Sequence, residues 1–214
     1  MCPIFSCPGP TPVAPLFMPF LVMPFLVNSA AMQVRSVCVF CGSASGAHPG
    51  YRVLAQEFGS LLASRGMRLI YGGGGVGLMG ALADAVLAGG GEVIGVMPQL
   101  LIDKEAGHRG LTSLHVVATM SERKRVMGDL SDAFVTLPGG IGTMDELFEA
   151  WTWTQLGLQD KPSGLLNYRG YYDELLAFLD RTVTEGFLKP RSRSGLLADT
   201  DVHRLLDRLV AAAK

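Results

Sequence analysis

Six short apolar runs, each closed by a glycine, proline or polar break, limit what this chain can fold into. They are Ser36–Phe40, Met67–Tyr71, Glu92–Met97, Leu114–Val117, Ala133–Leu137 and Ser163–Leu166. Between them lie stretches of helical period. Tyr51–Arg65 carries Leu54, Phe58, Leu61 and Leu62 on one face, and Leu78–Ala88 is closed by Gly89-Gly90-Gly91. Ser121 is the expected cap of a helix running to about Leu130, and further helices are expected over Thr143–Leu156, Tyr171–Thr184 and Asp201–Ala212. Strands that are apolar throughout and alternate with helices predict a parallel sheet covered on both faces. The expected fold is therefore α/β, a Rossmann-like doubly wound sheet forming a single domain over residues 35–214. Ligands of such sheets bind at the carboxyl ends of the strands.

Composition matters chiefly at the N-terminus. All 18 Lys and Arg and all 19 Asp and Glu lie at or after Arg35, whereas residues 1–34 hold seven of the 12 prolines. The apolar stretch Val13–Val27 is broken by Pro15, Pro19 and Pro24, which a membrane-spanning helix of about 20 residues does not tolerate well. No basic residue precedes it, as a signal peptide requires, although Asn28-Ser29-Ala30-Ala31 resembles a cleavage site. Residues 1–34 are expected to be an unstructured or mis-called extension, with Met32 the true initiator. From Arg35 onward the charged share is about a fifth, ordinary for a soluble domain. A net charge of −1 argues against electrostatic binding to nucleic acid. Cys38-x-x-Cys41 has redox spacing, but Cys38 falls inside an apolar strand, so free thiols in a reducing cytoplasm are expected. His48, His108, His115 and His203 lack metal-ligand spacing, and no metal site is expected.

Two glycine-rich loops follow predicted strands. The first, Gly72–Gly80, contains the dinucleotide pattern Gly-x-Gly-x-x-Gly at Gly75, Gly77 and Gly80. A dinucleotide site also needs an acid at the end of the next strand, and here that strand ends Val96-Met97-Pro98-Gln99. No Gly-Lys pair occurs, which excludes a P-loop. The second loop is Pro138-Gly139-Gly140-Ile141-Gly142-Thr143-Met144-Asp145-Glu146. Its glycines and the Thr143 hydroxyl can donate to a phosphate at a helix start. Glu146, one turn further on, would repel a phosphate in contact with it and is expected to face a sugar. The alternative is a helix start merely decorated with favourable acids.

At this second loop the chain resembles the LOG (Lonely Guy) family, phosphoribohydrolases of cytokinin riboside 5′-monophosphates long mis-described as lysine decarboxylases. The resemblance covers about residues 35–212. It includes Val39-Phe40-Cys41-Gly42-Ser43, the Gly72–Gly80 loop, Met120-Ser121-Glu122-Arg123-Lys124, Pro138–Glu146 and Trp153-Thr154-Gln155-Leu156-Gly157. It implies hydrolysis of the N-glycosidic bond of a nucleoside 5′-monophosphate, a cytokinin nucleotide or AMP, to free base and ribose 5-phosphate. It also implies Arg123 and Glu146 as the catalytic pair. Glu105, Lys124, Gly139, Gly140, Gly142 and Thr143 match substrate-binding positions, and Ser43, Gly73 and Gly74 are counted with them. Ser121 stands where His is common in the family; Ser is the better helix cap, so a local geometric change is expected.

These residue types suit the reaction. Loss of a base from ribose passes through an oxocarbenium-like state that a carboxylate stabilises. Arg123 can fork onto phosphate or ribose oxygens and favour the ionised form of Glu146. Neither metal nor cofactor is called for. Two other readings stand beside it. A carrier of nucleotide or cofactor on the same fold would bind phosphate and cleave nothing. A pyridoxal-phosphate decarboxylase needs a Schiff-base lysine, for which only Lys124 is near a phosphate loop. The expected partners are a small nucleoside monophosphate and a second copy of the chain in a homodimer or higher oligomer, with no nucleic acid and no membrane. Trp151 and Trp153 lie either at that partner surface or in the core.

Overall fold

A computed structural model describes residues 34–102 and 107–213. The expectations for the proline-rich leader and for Glu105 lie outside these residues, apart from Val34, which is buried. The elements run in order β1 (Ser36–Phe40), α1 (Gly50–Ser64), β2 (Arg68–Tyr71), α2 (Gly77–Ala88), β3 (Val93–Pro98), α3 (Gln99–Ile102), β4 (Ser113–Val117), α4 (Met120–Asp129), β5 (Ala133–Thr136), α5 (Ile141–Gln155), β6 (Ser163–Leu166), α6 (Asp173–Thr184), α7 (Pro190–Gly195), β7 (Leu196–Asp199) and α8 (Val202–Ala212). A single 3-10 turn, Tyr168–Gly170, precedes α6. Among the described residues the seven strands are all parallel, in the order β4-β3-β2-β1-β5-β6-β7.

The sheet is doubly wound because its inner strands are apolar on both faces. Val37, Val39, Leu69, Tyr71 and Val135 pack under α1, α2 and α8. Cys38, Phe40, Ile70, Ile94 and Phe134 face the opposite way, onto Met127 of α4 and Ala150 of α5. Leu165 and Leu196 complete that second face with Leu147, Trp151 and Leu179. Trp151 is thereby a core residue, and its indole N–H donates to Ser192 O at 3.2 Å. Trp153 is half-buried and lies over Gly128 of α4.

Chain order reverses beside β1, so the loops after β1 and β5 meet at the carboxyl edge. The main-chain N–H of Gly42 donates to Pro138 O at 3.1 Å across that junction. The cap of α4 differs from expectation. Thr119, not Ser121, accepts from the Glu122 N–H at 3.1 Å, while the Glu122 carboxylate accepts from the Ala118 N–H at 2.8 Å. Thr119-x-x-Glu122 forms a near capping box, with its reciprocal bond one residue before the cap, and leaves Ser121 exposed in the first turn. Strand β7 and helix α7 were also not expected. Among the described residues, no helix is long and apolar enough to cross a membrane.

Candidate active site

Helix α5 begins without a side-chain cap. Its N-cap is Gly140, its first turn contains no acid, and its first internal bond runs from the Met144 N–H to Gly140 O at 3.1 Å. Helix α4 by contrast spends its leading N–H groups on Thr119, and α8 spends one of its own on Asp201. The N-terminus of α5 is therefore free to meet an anion with N–H groups and the positive end of its dipole. It opens onto a cavity of about 280 Å3 whose wall includes Ser43, Arg123, Gly140, Gly142, Thr143 and Glu146. The structure thus brings both expected catalytic residues to one cavity.

Arg123 enters from α4 and is only 6 % exposed. Its Nε donates to Val96 O at 3.0 Å and its Nη2 to Gly72 O at 2.8 Å. These carbonyls lie in the carboxyl half of β3 and just past the end of β2, and their dipoles stabilise the buried charge and fix the plane of the guanidinium. Met120 lies against Nη1, its sulfur 3.9 Å away. Glu146 reaches the cavity from the second turn of α5 and is half-buried. Burial pushes the Cys41 thiol well up, and the Glu146 charge pushes it further. The same two causes raise Cys38. Both cysteines are buried free thiols held in the unreactive form.

The three glycines of the second loop have different roles. A Cβ on Gly139 would lie 2.1 Å from Thr143 Oγ1 and 2.9 Å from the Gly42 nitrogen, so Gly139 permits close packing behind the cavity. Cβ atoms on Gly140 and Gly142 would meet nothing within 4 Å, because these two residues face open space. Lys124 does not line the cavity. Its Nζ donates to Asp145 at 2.9 Å and pairs with Glu149, and it reaches the cavity wall only through Asp145. Burial lowers the Lys124 pKa, but the hydrogen bonds to Glu149 and Asp145 outweigh this and leave it raised. That is opposite to the depressed value a Schiff-base lysine requires.

The glycines of the first loop do not line the cavity either, although Met79 of that loop does. Gly73 and Gly74 are buried. Gly73 adopts φ +81° beneath Met97 and Leu114, and its carbonyl accepts from the His108 N–H at 3.0 Å. Gly74 O accepts from the buried Tyr71 hydroxyl at 3.2 Å. Gly77 touches the β1–α1 loop so closely that a Cβ would lie 2.1 Å from Ser43 O, and the Leu78 N–H is taken by Gly42 O at 3.1 Å. The start of α2 is docked on protein, not offered to a ligand. Residues that sequence reasoning missed are Cys41, Met79 and Met120 in the cavity wall and Gly72 behind Arg123.

A family profile described as "Possible lysine decarboxylase" matches residues 79–209. The cytokinin riboside 5′-monophosphate phosphoribohydrolase LOG1 of Arabidopsis thaliana is 46 % identical over 83 % of this chain and 83 % of its own length. The chain belongs to the LOG family. A rice relative (Oryza sativa subsp. japonica), named as probable cytokinin riboside 5′-monophosphate phosphoribohydrolase LOGL9, is 49 % identical over 83 % of this chain and 78 % of its own. Among solved structures, a molybdenum cofactor binding protein from Rippkaea orientalis superposes with TM-score 0.64 at 20 % identity, covering 86 % of this chain and 99 % of that one. The molybdenum cofactor carrier protein of Chlamydomonas reinhardtii gives 0.62 at 22 % identity, covering 82 % and 98 %. At that identity these two share with this LOG family member the fold alone. Among the described residues, no group of three or more His, Cys, Asp or Glu is placed to hold a metal.

Proposed function

We propose that this protein hydrolyses the N-glycosidic bond of cytokinin riboside 5′-monophosphates, and of AMP, to free base and ribose 5-phosphate. The observation that carries the reading is the arrangement of three groups on one cavity: the uncapped start of α5, Arg123 and Glu146. The phosphate is assigned to the N–H groups from Ile141 to Thr143, with the Ser43 hydroxyl beside them. Glu146 stabilises the positive charge that develops on the ribose as the base leaves, and orients the attacking water or a ribose hydroxyl. Arg123 supplies a fixed positive charge on the same cavity, placed for the substrate's anionic end.

Relatives that are 46 % and 49 % identical carry this activity in their names, which supports the same chemistry here. The carrier reading draws only on shared fold, and a carrier has no use for a carboxylate and a fixed arginine on one cavity. An oligomer is part of the proposal. Ile141 is 92 % exposed at the cavity mouth, and Met120, Leu156 and Leu158 are also exposed on α4 and just after α5. These apolar side chains suit burial against a second copy. A cytoplasmic site of action accords with the free thiols of Cys38 and Cys41. Incubation of the full chain with isopentenyladenosine monophosphate and with AMP should release free base. A folded protein that releases neither base overturns the hydrolase reading.

A further inference from the structure

Three consecutive carbonyls lead into α5, and each is held by a donor from outside the helix. Leu137 O accepts from the Tyr172 hydroxyl at 2.8 Å, Pro138 O from the Gly42 N–H at 3.1 Å, and Gly139 O from the Tyr171 hydroxyl at 2.7 Å. Neither tyrosine lines the cavity that holds Arg123 and Glu146. The Leu137 and Gly139 carbonyls are therefore engaged by donors that do not line it. An anion site built from main chain depends on such an arrangement, because a carbonyl oxygen turned inward would repel the ligand that the next N–H groups attract.

The two tyrosines come from the turn after β6, which neighbours β5 in the sheet. That turn is built tightly. Arg169 sits at φ +57° and Gly170 at φ +72°, so a non-glycine residue is held in the left-handed region. Asn167 braces the turn by accepting from the Tyr172 N–H at 2.8 Å and donating to Asp173 at 2.7 Å. The Tyr171 ring stands edge-on to Tyr172 at 4.8 Å and to Tyr51 at 5.7 Å. Strained backbone persists only where its surroundings over-determine it, and here it delivers two phenol hydroxyls to the loop that leads into α5.

We propose that Tyr171 is a positioning residue whose hydroxyl, by holding the Gly139 carbonyl, sets the start of α5 for the substrate's phosphate. The identity of the anion rests on the hydrolase reading; the clamp itself does not. Tyr171→Phe keeps the ring contacts and removes only the donor. Calorimetry on the full chain should show affinity for ribose 5-phosphate falling about fivefold, the worth of one such hydrogen bond. The KM for AMP should rise by a similar factor with kcat unchanged within about twofold, and affinity for adenosine, which lacks the phosphate, should not move. Equal sugar-phosphate affinity in the variant, or an equal loss for adenosine, overturns the proposal. If the wild-type protein releases no base yet Tyr171→Phe still weakens AMP binding, the clamp stands and the hydrolase reading falls. If the wild type binds neither AMP nor ribose 5-phosphate, both fall.

Discussion

A Cβ placed on Gly72 would lie 2.0 Å from Arg123 Nη2 and 3.1 Å from its Cζ. Carbon and nitrogen that are not bonded do not approach within 3.0 Å, so Gly72→Ala forces the guanidinium back by about 1 Å. An arginine on the surface would swing aside at little cost. Arg123 is buried, and the same shift stretches its bonds to Gly72 O and Val96 O, now 2.8 and 3.0 Å. A hydrogen bond from a charged donor contributes about 1.5–3 kcal/mol, and stranding a buried charge costs about 3–5 kcal/mol. The expected loss of unfolding free energy is therefore about 2–4 kcal/mol, measured by urea denaturation. Activity should suffer as well, because a misplaced charge at the cavity wall is worth about 100-fold in kcat/KM. Two comparisons isolate the cause. Gly140→Ala, whose Cβ meets nothing within 4 Å, should cost no more than about 1 kcal/mol, the preference for glycine over alanine at a helix N-cap. In an Arg123→Ala background, Gly72→Ala should cost less than about 1 kcal/mol, since the clashing atom is gone. The reasoning is refuted if Gly72→Ala costs the same in both backgrounds.

Glu146→Gln should lower base release by at least about 1,000-fold while changing stability by no more than about 1 kcal/mol, because the residue is half-buried and keeps its volume. Arg123→Ala should also abolish turnover, but at a cost in stability, since it leaves the Gly72 and Val96 carbonyls without their donor. Near-full activity in both variants would remove them from the site. Asp132 gives a pH-dependent test of the fold at the foot of β1. Partial burial pushes its carboxyl up, but its Oδ2 accepts from the N–H groups of Arg35 and Ser36 and from the Ser36 hydroxyl at 2.8–2.9 Å, and these outweigh burial to lower its pKa. A carboxyl lowered on folding adds stability above about pH 4, and that contribution fades as pH falls through the folded value. Asp132→Ala should therefore lower stability by about 1.5–3 kcal/mol at pH 7, and the difference from wild type should shrink below pH 4. A difference that stays flat from pH 7 to pH 3 would count against this account.

The parallel sheet was legible because β1, β2, β3 and β5 are covered on both faces and so carry no polar alternation. Strand β7 was not. Leu-Leu-Ala-Asp at a sheet edge is buried at Leu196 alone, and Pro190–Gly195 before it has no helical period. The cap of α4 was readable, since Thr119-x-x-Glu122 is a capping-box pattern, but Ser121 offered an equally good cap residue two positions later. The second glycine loop was readable as a candidate anion site because loop, uncapped helix and acid are contiguous. The role of the first was not. A glycine that lets a ligand approach and one that lets protein approach look alike in sequence, and Gly73, Gly74 and Gly77 are of the second kind. Arg123 reads as one of four charged residues on a solvated helix. Its partners lie 27 and 51 residues earlier in the chain, and only the sheet brings them together. Tyr171 was within reach by topology. Once β6 is placed beside β5, the residues after β6 must lie beside the loop after β5.

In the site proposed here, the two glycine loops act by different means. The loop before α5 leaves N–H groups open to solvent, which suits a ligand that comes and goes. The loop before α2 offers nothing to a ligand. It brings a carbonyl and a bare Cα against the guanidinium of Arg123, and it docks the start of α2 beneath Ser43. Folding thus orients the cation of the site in advance, and little reorganisation remains when charge develops on the substrate. A binding protein on this fold needs only the first device, because an anion can be held by main chain alone. On the hydrolase reading proposed above, a buried arginine oriented by two main-chain carbonyls and sharing a cavity with a carboxylate is a cost in folding that binding does not require and that bond cleavage does.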